Sequence, residues 1–305
     1  MSDRTCAFFG YGIVGEAGLK AVCDIGVTPV AVYTHSQGQD SWQTNLQPAA
    51  ARLGLDCHVD VDWSAAGEVS RLERLAPDVL LSFYYRDILP VAALETARLG
   101  GLNLHGSILP DYRGRAPVNW VVLKGELESG ATLHVMENRP DRGAVVGMHR
   151  FPIATDATAW NVLCAVRDAG VELVHSCLGP FLEGILTPVS QASGGSTFLR
   201  RTPEDGLIDW GWSTKRIYDL VRAVTRPYPG AFFELNDGDG VARRVFVWWL
   251  RPLAGPALAT GEIRFDNGRL LAGTGNGVVE VVDWNVDGMT VDASQQWARL
   301  RFGPL

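Results

Sequence analysis

The chain has 305 residues, 47% of them hydrophobic and 20% charged, an ordinary globular balance that needs no disulfide or metal to hold a core. Net charge is −7; the first 200 residues carry 15 Lys/Arg against 21 Asp/Glu and the remainder 12 against 13, so neither part has the basic excess that nucleic-acid binding requires. The five cysteines are odd in number and include no CxxC, and neither a leader segment nor an apolar run of membrane-spanning length is visible, so a soluble, cytoplasmic protein with reduced thiols and no membrane partner is expected.

Thr5 to Phe9 is an apolar strand ending at Gly10, with a helical stretch following through Leu19 and Val22. Pro29 to Tyr33 reads as a strand, Pro48 to Leu53 as a helix and Cys57 to Val59 as a short strand. Val69 to Leu75 is helical, Asp78 to Phe83 is a strong strand and Leu102 to His105 is extended. This alternation argues for a parallel sheet with helices on both faces. Val118 to Leu123 reads as a helix behind Pro117, Thr132 to Met136 and Ala144 to Ile153 as strands, and Ala157 to Leu182 as one long helix. Ser193-Gly-Gly-Ser is a turn signal. Beyond it stand one helix, Thr214 to Val224, and short strands at Ala231 to Leu235, Arg243 to Leu250, Gly261 to Arg264, Arg269 to Ala272 and Val278 to Val282, the pattern of a small β-barrel or sandwich.

Four segments could carry chemistry. Gly10-Tyr-Gly12-Ile-Val-Gly15 has the spacing of a dinucleotide fingerprint, but the second strand ends in Tyr33-Thr34-His35-Ser36, with no carboxylate for a ribose. The glycines are therefore read as a tight turn that lets a helix approach the sheet. Asn103 and His105 stand two apart at a strand end and share a face, where open α/β sheets place their sites; a half-buried histidine satisfied by a carbonyl is the competing reading. Tyr112-Arg113-Gly114-Arg115-Ala116-Pro117 is either an anion clamp or a solvated basic loop. Arg139-Pro140-Asp141-Arg142-Gly143 has the chemistry of a plain turn. The remaining histidines show no ligand spacing, so metal dependence is not expected.

The run Asn103-Leu-His105-Gly-Ser-Ile-Leu-Pro110-Asp-Tyr-Arg113-Gly-Arg-Ala-Pro117, with Asp141 after the next strand, resembles the N10-formyltetrahydrofolate-dependent formyltransferases. Phe83-Tyr-Tyr-Arg86, Arg200-Arg-Thr-Pro-Glu-Asp205, Arg222-Ala-Val and Pro229-Gly-Ala-Phe232 extend the likeness through most of the chain. The resemblance implies a Rossmann-like, mostly parallel sheet domain over residues 1–200 and a smaller OB-like β-barrel domain over 201–305. It implies a catalytic triad of Asn103, His105 and Asp141. It also implies a folate site at Asp87, Ile88, Leu89, Arg115, Glu137, Asn138, Arg139, Pro140 and Asp141. Arg200, Arg201, Pro229 and Gly230 are expected to wall the acceptor pocket. Gly106 and Arg115 differ from the Ala and Ala usual in the tRNA-formylating branch. They match the branch that formylates UDP-4-amino-4-deoxy-L-arabinose, so the expected partners are a folate donor and a UDP-amino sugar. Homo-oligomerisation is left open. Formylation of methionyl-tRNA is the first alternative; a non-catalytic folate or nucleotide sensor and a nicotinamide dehydrogenase are the remoter ones.

Overall fold

The computed structural model describes residues 4–38, 43–64, 66–236, 242–254 and 258–287. The chain divides into two compact units. One takes in the chain up to Pro117 with Leu127–Ile153 and Asn161–Leu199; the other takes in Val118–Glu126, Ala154–Trp160 and the chain from Arg200 onward.

The first unit runs β1 (Thr5–Gly10), α1 (Gly12–Asp24), β2 (Thr28–Thr34), α2 (Gln47–Arg52), β3 (Cys57–Val59), α3 (Ala66–Leu75), β4 (Val79–Phe83), α4 (Val91–Leu94), β5 (Gly101–His105) and β6 (Arg113–Gly114). After α5 (Pro117–Leu123) come β7 (Glu128–Val135), β8 (Val145–Pro152), α6 (Ala159–Leu173), α7 (Gly179–Leu182) and β9 (Thr197–Phe198). Seven strands form one sheet in the order β3-β2-β1-β4-β5-β7-β8. The first five are parallel, as the β-α alternation predicts, whereas β5–β7 and β7–β8 pair antiparallel. The reversal between β7 and β8 follows from connection length. The short link from β7 to β8 can only make a hairpin, whereas parallel neighbours need a crossover of a dozen residues or more.

Alternate residues of the parallel strands serve opposite faces. Ala7, Phe9, Ala31, Tyr33 and Leu80 pack with Leu72 of α3 and Ala93 and Leu94 of α4. Phe8 and Phe83, of the opposite parity, meet on the α1 side. There the glycine-rich turn is explained by close approach. A Cβ on Gly15 would lie 2.9 Å from the Gly10 carbonyl carbon, and one on Gly18 would strike the Phe83 ring at 2.4 Å. At the end of β2, Thr34 uses its hydroxyl to accept from the Leu46 N–H. The long helix expected to Leu182 instead passes from α6 through a π-helical turn, Val174–Leu178, into α7. Pro180 lacks the N–H an unbroken α ladder needs.

The second unit contains α8 (Thr214–Val224) and β10 (Ala231–Asn236), β11 (Ala242–Leu253), β12 (Ile263–Asp266), β13 (Arg269–Thr274) and β14 (Gly277–Val286). The strands form an antiparallel half-barrel ordered β10-β11-β14-β13-β12. Ser213 caps α8 by accepting from the Arg216 N–H. Ile217, Leu220, Val221 and Val224 are spaced to bury one face of the helix. Two buried polar side chains hold the excursions of the chain to α8. Asn119 donates to the Ala223 carbonyl at 2.7 Å, and Arg222, paired with Asp219 at 2.9 Å, donates to the Ala157 carbonyl.

Candidate active site

The site is assembled at the C-terminal end of β5 in the first unit. Along this strand Leu102 and Leu104 are buried on one face, which turns Asn103 and His105 to the other. The antiparallel register sets His134 opposite Asn103 and Thr132 opposite His105. The loop after β5 is pinned by hydroxyls. Ser107 donates to the Asp111 carbonyl, and Thr132 donates to the Ser107 carbonyl while accepting from the Leu109 N–H.

His105 is 5% exposed. Its Nε2 lies 2.8 Å from the Tyr112 carbonyl, which can only accept, so Nε2 carries a proton. Nδ1 faces Asp141 Oδ1 at 3.5 Å. Burial pushes the His105 pKa down and outweighs the upward pull of the Asp141 charge. The carboxylate thus limits a depression rather than raising the imidazole above its ordinary range. For Asp141 the balance runs the other way. Burial raises its pKa, but the imidazoles of His134 and His105 and the Gly114 N–H, which donates at 2.8 Å, bring it down to about 2. Gly114 is itself required: its φ is +94°, and a Cβ there would meet the Phe198 carbonyl oxygen at 2.2 Å.

Asp141 is more than a turn residue. Its φ is +58°, and Tyr84, Tyr112 and Ala116 also have positive φ. Left-handed backbone at non-glycine residues costs energy and persists where the surroundings over-determine it. Here Gln191 donates to the carbonyls of Asp141 and Gly143, and Arg113 Nε donates to the Asp141 carbonyl. Arg113 is buried, with its remaining donors on Gln191 and the Gly194 carbonyl. It is a loop pin, not an anion clamp. Arg115 is exposed and close enough to His35 to depress that imidazole, secondary to burial and Arg86.

The other expected site residues sit as follows. Asp87 is exposed, and Ile88 is an apolar side chain 67% exposed. Leu89 is buried in the core beneath α3 and α4, which leaves only its backbone for a ligand. Glu137, Asn138, Arg139 and Pro140 are all exposed on the β7–β8 connection. Arg200, Arg201, Pro229 and Gly230 belong to the second unit. Arg200 and Pro229 are exposed. Arg201 donates to the Asp205 carbonyl and stacks over Trp120, and the Gly230 N–H donates to the Val224 carbonyl. Sequence reasoning missed His134, although Thr132 and His134 repeat the two-residue spacing of Asn103 and His105. Among the described residues no cluster of three or more His, Cys, Asp or Glu could hold a metal ion, and no helix is long and apolar enough to cross a membrane.

Residues 62–178 match the formyl transferase family, and residues 200–301 match the formyl transferase C-terminal domain. The fold is shared with HypX from Aquifex aeolicus, solved in complex with tetrahydrofolic acid, at 19% identity and a TM-score of 0.66 over 93% of this chain. The chain spans 44% of the length of that protein. It is shared also with an N-formyltransferase from Helicobacter canadensis, solved with folinic acid and dTDP-3-aminofucose. That likeness has 18% identity and a TM-score of 0.65 over 92% of this chain and 98% of that one. A sugar N-formyltransferase from Shewanella matches with 17% identity and a TM-score of 0.63, over 78% of this chain and 95% of its own. Such identities speak for the fold; the two matched domains, which follow one another over more than half of the sequence, speak for descent, and the chain belongs to the formyl transferase family.

Proposed function

We propose that the chain transfers a formyl group from N10-formyltetrahydrofolate to the amine of a nucleotide-linked amino sugar, with UDP-4-amino-4-deoxy-L-arabinose the acceptor to test first. The observation that carries this reading is the buried His105 facing Asp141 beside Asn103 in a chain of this family. The acceptor class is supported by the dTDP-3-aminofucose bound to the Helicobacter relative. The choice of a UDP sugar is supported by Gly106 and the Arg113-Gly-Arg115 loop.

The proton inventory suits amine acylation. An alkyl amine is mostly protonated at neutral pH and must lose a proton before it attacks. His105 keeps its Nε2 proton on Tyr112, and burial favours the neutral ring, so Nδ1 is the nitrogen able to accept. Asp141, ionised, stabilises the imidazolium that results. Attack at a formyl carbon develops an oxyanion, and the Asn103 amide offers N–H donors to it. Within the expected folate site Ile88 offers exposed apolar surface, Arg115 an exposed cation for a carboxylate, and residues 137–140 an exposed connection. When bound, the folate supplies the activated formyl group. Arg200, Arg201, Pro229 and Gly230 remain the residues we assign to the acceptor side.

The deciding measurement is formylation of a panel of UDP-, dTDP- and GDP-amino sugars and Met-tRNA with a folate donor. Product from an amino-sugar nucleotide is expected. Product from Met-tRNA alone would reverse the choice of acceptor.

A further inference from the structure

We infer that His134 is a positioning residue that fixes which end of the Asn103 carboxamide faces it, and so which donor Asn103 presents to the reacting centre; this rests on the formyl-transfer reading above. His134 lies in β7, directly across the ladder from Asn103, and is 2% exposed. Its Nδ1 lies 2.9 Å from the Val135 carbonyl oxygen. A carbonyl can only accept, so Nδ1 carries the proton. In the neutral ring that leaves a lone pair on Nε2, and Nε2 lies 3.1 Å from Asn103 Nδ2. The Asn103 amide nitrogen therefore donates to His134. Turned over, the amide would set its oxygen against the same lone pair, two acceptors in contact with no proton between them. Val135 thus selects the His134 tautomer, and the tautomer selects the amide orientation.

The contact of His134 Nε2 with Asp141 Oδ1 is longer, 3.6 Å, beyond hydrogen-bond length. It places the ring beside the carboxylate without tying Nε2 to it. One amide hydrogen is spent on His134, and Asn103 itself is only half-buried. A freely turning amide would present a donor or an acceptor to a developing oxyanion; a pinned one presents its donor each time. That is preorganisation, in which the orientation is set before the reaction and not during it.

The test uses the full chain and two substitutions. His134→Phe keeps a ring and removes the acceptor; His134→Gln keeps an amide oxygen able to accept at a similar reach. The first readout needs no substrate: the side-chain amide signal of Asn103 by NMR, assigned with Asn103→Ala, with its hydrogen-exchange rate. Slow exchange in the wild type, fast exchange in His134→Phe and recovery in His134→Gln are expected. Identical Asn103 signals in the wild type and His134→Phe would overturn the inference. The second readout is kinetic. His134→Phe should lower kcat by about ten- to a hundredfold with KM for both substrates little changed, and His134→Gln should recover most of it. An unchanged kcat in a folded His134→Phe would also overturn the inference. A wild type that formylates no amine, with Asn103 exchange still governed by His134, would sink the proposed function and uphold the positioning role.

Discussion

Two carboxylates, one in each unit, are both held at about 2, and they are held there by opposite means. Glu280 stands in β14 across from Arg251 on β11, and takes hydrogen bonds from Arg251 at 2.8 Å and from Arg269 at 3.0 and 2.8 Å. The bonds from Arg269 lead in lowering its pKa, against a smaller upward push from burial. Asp141 has burial as its largest influence, and that influence points upward; imidazoles and one backbone N–H overcome it. Guanidinium does not give up its proton in a protein, so the Glu280 cluster can only hold strands together. Imidazole exchanges protons near neutrality, so the Asp141 cluster can do chemistry. The backbone marks the same division. Asp141 has positive φ with further left-handed residues near it in the site, whereas Glu280 lies in a regular strand. A displaced pKa alone therefore does not separate the two clusters; what their partners can do with a proton does.

The comparison breaks most sharply at the imidazole side. Asn103→Ala and His105→Gln should each lower turnover by at least ~10². Glutamine is chosen at 105 because its amide can still donate to the Tyr112 carbonyl, which sets lost chemistry apart from a buried acceptor left unpaired. Near wild-type turnover in either variant would remove that residue from the mechanism.

Asp141→Asn should come next. The amide is nearly isosteric, so the strained turn held by Gln191 and Arg113 is kept, while the charge facing His105 is gone. Turnover should fall by about 10². The apparent pKa governing catalysis should also move down, because the influence that opposed burial has been removed. A pH–rate profile reads both effects; an unmoved profile at near wild-type rates would return Asp141 to the status of a turn residue.

Glu280→Gln should leave turnover unchanged and cost about 1 kcal/mol of stability at neutral pH, a modest figure because both arginines are largely exposed. The pH sign is fixed by the depressed pKa. The stability Glu280 contributes is whole above the unfolded value of ~4.3 and is lost as pH falls toward about 2. Denaturant midpoints of the two proteins should therefore converge with acidification. Midpoints that stay equally far apart at every pH would show that packing, not charge, carries the effect. Smallest of all is the expected response to EDTA, which should leave formyl transfer intact; loss on chelation and recovery with one metal would show that a third kind of carboxylate chemistry had been missed.

That Asn103 and His105 share a face was legible from spacing alone, because a strand puts alternate residues on one face whatever it pairs with; their chemical role was read only from the likeness to a family. Asp141 read as turn chemistry until the likeness to a family drew it in. Arg113 looked like a ligand clamp because two arginines flank a glycine; burial against the carbonyls of Asp141 and Gly194 gives it another use. Leu89, expected beside a ligand, has its side chain in the core, so only its backbone is left to meet one.

The sequence by itself determined the alternation of strands and helices in the first unit, the change to short strands in the second, the glycine turn after β1 and the two side chains at the end of β5. Each depends on local periodicity or turn chemistry, which neighbouring residues carry. Only the tertiary structure decided that β7 runs antiparallel beside β5, that His134 therefore faces Asn103, and that a strained loop brings Asp141 between two imidazoles. The contacts of Asn103 with His134 and of His105 with Asp141 join residues about 30 to 40 positions apart. Their geometry follows from strand pairing and from burial, which moved the His105 pKa opposite to the direction its charged neighbour suggests.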